Sequence, residues 1–71
     1  MGKNDLTDVQ AILKRFGAFI YTGNRLDDIV LMDLELQDLY ESNLITIEEY
    51  KEAKSILKRE YNEEILPESK E

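Results

Sequence analysis

Seventy-one residues bound the chain to one domain, near the lower limit at which a single core holds without staples, metals or partners. The absence of cysteine excludes disulfides and thiolate metal sites, and the absence of histidine removes the commonest general base and transition-metal ligand. The net charge of −7 is laid out unevenly, +1 over residues 1–17, −5 over 18–44 and −3 over 45–71, which argues against sequence-independent attachment to duplex nucleic acid or an anionic membrane. Met1-Gly2-Lys3-Asn4-Asp5 opens no apolar leader, Leu6 stands where an acylation signal wants Ser or Thr, and no apolar run is long enough to span a bilayer. A cytoplasmic location is the expectation.

Leu6, Val9, Leu13 and Phe16 recur at helical spacing with Ile12 on the flank, and Thr7 with Gln10 fits a capping box. The first helix is predicted over about 7–16, stopped by Gly17, which accepts the left-handed conformation cheaply. Ala18 to Tyr21 is too short for a helix and too apolar for a polar loop, so an ordered extended connector is expected, followed by a Thr22-Gly23-Asn24 turn whose Asn24 caps the next helix.

The second helix, about 25–42, carries two apolar stripes: Ile29, Met32, Leu36 and Leu39, and separately Leu26, Val30 and Leu34. A helix apolar on two sides is expected between two neighbours. Asp27, Asp28, Glu35, Asp38 and Glu41 then face water with Leu31 among them, and Asp33 falls between the stripes as a partly buried carboxylate. Its candidate partners are Arg25, a lysine of the third helix, or the hydroxyl of Tyr21, Tyr50 or Tyr61. Asn43 is a left-handed stop. Thr46-Ile47-Glu48-Glu49 is a capping box with Ile45 and Tyr50 as its hydrophobic staple. The third helix is expected to bury Tyr50, Ala53, Leu57 and Tyr61, with Ile56 on the edge, and to end before Pro67. The fold class is all-α, a three-helix bundle over 1–66 with an ordered apolar connector between helices one and two, and 67–71 as a disordered charged tail.

Asp8-Val9-Gln10, Arg15-Phe16-Gly17-Ala18-Phe19-Ile20-Tyr21-Thr22-Gly23-Asn24-Arg25 and Asp28-Ile29-Val30-Leu31-Met32 through Leu39-Tyr40 together resemble the YqgQ-like family of small bacterial proteins, over about residues 6–61. The resemblance implies a three-helix bundle without known enzymatic activity, with single-stranded nucleic-acid binding as a suggested role. A weaker likeness over 36–57, carried by Leu39-Tyr40, Leu44-Ile45-Thr46, Glu49-Tyr50 and Ala53-Lys54, is to the two-helix SHOCT module, an oligomerisation or docking element. Those residues are mostly caps and core, so the likeness also fits any helical hairpin.

Lys51, Lys54 and Lys58 fall within about 60° on the third helix, with Lys14-Arg15 closing the first. They read as a phosphate-tracking edge with Tyr21, Phe19 or Tyr61 to stack on bases, or more simply as a solvated face threaded with Glu48, Glu52 and Glu63. Thr22-Gly23-Asn24-Arg25 leads into a helix N-terminus, where anions bind, yet Asp27 and Asp28 already use that dipole. The acids of the second helix lack the loop and glycine of a calcium site, so no metal or cofactor is expected.

Without a nucleophile and base, an enzyme is not expected. The leading expectation is a non-enzymatic module for protein interaction or self-association as a homodimer, using Phe19, Tyr21, Leu31 and Leu34. The alternative is single-stranded nucleic-acid binding through Lys14, Arg15, Tyr21, Arg25, Lys51, Lys54 and Lys58. For the connector itself, the simplest duty is packing the first helix onto the second.

Overall fold

The computed structural model of the chain describes residues 5–65, and within them the fold is all-α: α1 (Leu6–Lys14), α2 (Arg25–Glu41) and α3 (Ile47–Ile65). The expected tail at 67–71 lies outside the described residues. The α2–α3 contact is the most extensive, and α1 packs on both.

Each helix boundary has a local cause. Asp5, not the expected Thr7, caps α1, its carboxylate accepting the Thr7 N–H at 3.0 Å. An N-cap side chain serves the N–H two or three residues on, and with Asp5 in that role the helix begins earlier than the Thr7-Gln10 pair suggests. At the other end the Gly17 N–H donates to the Lys14 carbonyl and the Ala18 N–H to the Leu13 carbonyl, both at 3.0 Å, with Gly17 at φ +80°. This paired closure ends α1 at Lys14 rather than 16. The same pair recurs after α2: Asn43 N–H to the Tyr40 carbonyl and Leu44 N–H to the Leu39 carbonyl, both 2.9 Å, with Asn43 at φ +61°. Asn24 caps α2 by accepting the Asp27 N–H at 3.0 Å. The box at α3 is reciprocal, with the Glu49 N–H on Thr46 Oγ1 at 3.1 Å and the Thr46 N–H on Glu49 Oε1 at 3.3 Å.

The core is Val9 and Leu13 of α1, Ile29, Met32, Leu36 and Leu39 of α2, Ile45 of the turn, and Ala53, Ile56 and Leu57 of α3. Leu6, Ile12, Phe16, Ala18, Ile20, Tyr40 and Tyr50 pack around it, half-buried. Across the α2–α3 turn the rings of Tyr40 and Tyr50 stack with centroids 4.3 Å apart and planes 7° from parallel.

Two sequence expectations are corrected by this packing. The stripe Leu26, Val30, Leu34 does not meet a second neighbour: Leu26 is half-buried, Val30 and Leu34 are exposed. In a bundle where all three helices touch, both neighbours of α2 lie on the same side, so one buried arc of about 100° serves both. On α3 the core face runs Ala53, Ile56, Leu57, Glu60, which turns Ile56 inward and leaves Tyr61 exposed.

Candidate functional site

The connector runs from Ala18 to the bend at Gly23, and over Ala18 to Tyr21 its burial alternates. Ala18 and Ile20 turn toward the core, while Phe19 and Tyr21 point to solvent with 74% and 84% of their surface exposed. An extended backbone sends successive side chains to opposite faces, and the Gly17 turn fixes the phase. The connector therefore seals the bundle with one face and displays two aromatic rings with the other. Gln10 and Lys14 of α1 join Ala18, Phe19, Ile20 and Tyr21 around a small cleft there.

This display is held by a buried carboxylate, Asp28, which was expected to face water. Asp28, only 8% exposed, accepts the Thr22 N–H at 2.7 Å and the Thr22 hydroxyl at 2.8 Å through Oδ1. The Thr22 hydroxyl in turn accepts the Asn24 N–H at 3.2 Å. Asp28 thus ties the connector back onto the first turn of α2 and takes the donor that a bound anion would use at the Thr22-Gly23-Asn24-Arg25 turn. Its signal was present in the sequence, because Asp28, Met32 and Leu39 lie within about 40° on the helix, inside the buried arc.

Arg25 is committed as well. Its guanidinium pairs with Glu60 at 2.6 Å and with Glu64 at 3.3 Å, and Arg59 reaches Glu60 from the other side at 3.4 Å. Glu60, 9% exposed, sits where a fourth apolar residue of the α3 core face would stand, and two guanidiniums keep its charge partnered. No buried side-chain nitrogen or oxygen lacks a hydrogen-bond partner among the described residues.

The lysines of α3 line a groove of about 810 Å³ between α2 and α3. Ile29, Val30, Tyr50, Leu57 and Tyr61 supply its apolar surface and Lys51, Lys54 and Lys58 its rim. Lys54 is the partner of Asp33, at 2.6 Å, with its ammonium 5.8 Å above the Tyr50 ring centre. The hydrogen bond to Asp33, opposed by partial desolvation, holds Lys54 above its ordinary 10.5. Arg15 pairs with Glu49 at 3.0 Å, and that bond, aided by the Thr46 N–H, holds Glu49 below its ordinary 4.5.

The sequence-derived sites are therefore divided by the fold. Phe19 and Tyr21 stand on the connector with Lys14, whereas Leu31 and Leu34 are exposed on α2. Of the proposed basic set, Lys51, Lys54 and Lys58 converge with Tyr61 and Tyr50, not with Tyr21, while Arg15, Arg25 and Lys54 are held in ion pairs. Among the described residues no three carboxylates gather closely enough to hold a metal ion, and no helix is long and apolar enough to cross a membrane.

No solved structure matches the chain. The uncharacterised protein YqgQ of Bacillus subtilis (strain 168) is 39% identical over 57 residues, covering 80% of each chain. The family model described as YqgQ-like matches residues 4–63, which includes the connector, the Asp28 clasp, α1, α2 and all but the last two residues of α3. Both comparisons bear out the resemblance read over about residues 6–61, and the chain belongs to the YqgQ-like family.

Proposed function

We propose that the chain is a non-enzymatic protein-interaction module whose contact surface is the aromatic display of the connector. The observation that carries this reading is the outward pair Phe19 and Tyr21 on a backbone tied down by Gly17, Thr22 and Asp28. Two large rings held out in water by a fixed backbone lose little entropy on binding, and tyrosine is among the residues that dominate protein interfaces. The test is affinity capture from a nuclease-treated lysate with the wild type and with Phe19→Ser, Tyr21→Ser. A retained protein lost with the double variant supports the reading, and an unchanged capture pattern overturns it.

A second reading, single-stranded nucleic-acid binding, is favoured by one observation: Lys51, Lys58 and Tyr61 line the same groove, with a ring available for stacking. Two or three phosphate contacts give weak, strongly salt-dependent affinity. Titration of a labelled single strand at two salt concentrations checks it, and absence of binding at low salt counts against it.

A further inference from the structure

The α2–α3 groove and the outer face of α2 are chemical opposites. The groove has an apolar floor and a rim where Lys54 is neutralised by Asp33 but Lys51 and Lys58 make no ion pair among the described residues. It is therefore a locally positive groove on a chain of net charge −7. On α2, the exposed Asp27, Leu31, Leu34 and Asp38 fall within about 60° of arc. Leu31 and Leu34 are 41% and 56% exposed, a pair of leucines bordered on the helix surface by carboxylates. Leu34 stands one turn beyond Val30, which forms the α2 wall of the groove, and is rotated away from it. A chain cannot lay this strip into its own groove.

We infer that the occupant of the groove is α2 of a second copy of the chain. Each copy lays Leu31 and Leu34 into the other's groove, against Val30, Tyr50 and Tyr61, with Asp27 and Asp38 meeting the lysines of the rim. Because both surfaces share α2, where Leu34 stands one turn beyond Val30 of the groove wall, a two-fold axis satisfies them reciprocally and the assembly closes at a dimer. Opposite charge across the contact selects this pairing over strip against strip, where four carboxylates would meet. The inference goes beyond recognition through Phe19 and Tyr21, with which it shares no residue.

Light scattering on the full chain from micromolar to sub-millimolar concentration tests it. The mass is expected to rise with concentration from 8.3 kDa toward twice that value. The double variant Lys51→Glu, Lys58→Glu and the double variant Asp27→Lys, Asp38→Lys are each expected to weaken the dimer about tenfold or more, and their equimolar mixture to restore it, since every contact in the mixed dimer is again of opposite sign. Leu34→Glu, at an exposed position, gives the same loss without charge reversal at a helix terminus. A wild type that stays at 8.3 kDa, a dimer indifferent to Leu34→Glu, or a mixture of folded variants that fails to reassociate overturns the inference. A monomer that nevertheless captures a protein through Phe19 and Tyr21 overturns the dimer and leaves the proposed function standing.

Discussion

Asp28 and Thr22 are joined twice, through the threonine N–H at 2.7 Å and its hydroxyl at 2.8 Å, both on one carboxylate oxygen. Hydrogen bonds to a charged acceptor are worth about 1.5 to 3 kcal/mol, and deleting the acceptor strands the donors. Asp28→Ala is expected to cost about 2 to 3 kcal/mol in urea denaturation, and Thr22→Val, which keeps the N–H, about 1 kcal/mol. A cost for Asp28→Ala no larger than that for the exposed Asp27→Ala contradicts the clasp.

Glu60 gives the opposite expectation for its own replacement. A charge on a core face stabilises only while its partners remain, so an apolar side chain of similar volume there is often neutral or better. Glu60→Met is expected within about 1 kcal/mol of wild type or above it, whereas Arg25→Ala, removing a half-exposed partner, costs about 1 to 2 kcal/mol. Thermal unfolding of both variants measures the contrast, and Glu60→Met as the more damaging change contradicts it.

The two left-handed stops differ in what a side chain costs. Gly17 has open space around the place a Cβ would occupy, so Gly17→Ala meets no clash and loses only the backbone preference, about 1 to 2 kcal/mol. Asn43→Gly is expected to be neutral or slightly stabilising, and Asn43→Ala to cost about 1 kcal/mol. Denaturant midpoints of the three variants rank them.

Two ion pairs make stability respond to pH in opposite directions. Lys54 binds its proton more tightly in the fold, so stabilisation by Asp33 is fully present below 10.5 and fades as pH rises through the raised folded value. Glu49 releases its proton more readily in the fold, so its contribution is fully present above 4.5 and fades as pH falls through the lowered value. The stability gap between wild type and Lys54→Met is therefore expected to close in strong base, and that between wild type and Glu49→Gln in acid. Urea midpoints across pH give both.

Phe19→Ser and Tyr21→Ser are expected to change stability by less than about 0.5 kcal/mol, since both rings lie outside the core. Ile20→Ser, one position between them and facing inward, is expected to cost more than either. Equal costs at all three positions contradict the alternation.

Local chemistry was readable from the residues themselves. Asn24, Asn43, Gly17 and the Thr46-Glu49 box act over at most five residues, so their spacing carries the signal. What escaped sequence reading depends on distance. Glu60 pairs with Arg25 across 35 positions, and nothing in α3 alone distinguishes a core-facing glutamate from Glu63 or Glu64. The rotation of α3 that exposes Tyr61 and buries Ile56 belongs to its packing on both other helices, which α3's own periodicity does not carry. Asp28 was hidden for another reason: a carboxylate in a first helical turn already has a sufficient explanation in the helix dipole.

The stacked rings of Tyr40 and Tyr50 close the α2–α3 turn face to face, in a chain without tryptophan. Near-ultraviolet absorption therefore falls mainly to four tyrosines, and Tyr21 and Tyr61 are the exposed ones. Electronic coupling between the stacked pair exists only while the hairpin is shut, so the tyrosine dichroism of the unlabelled protein is an intrinsic optical gauge of its opening.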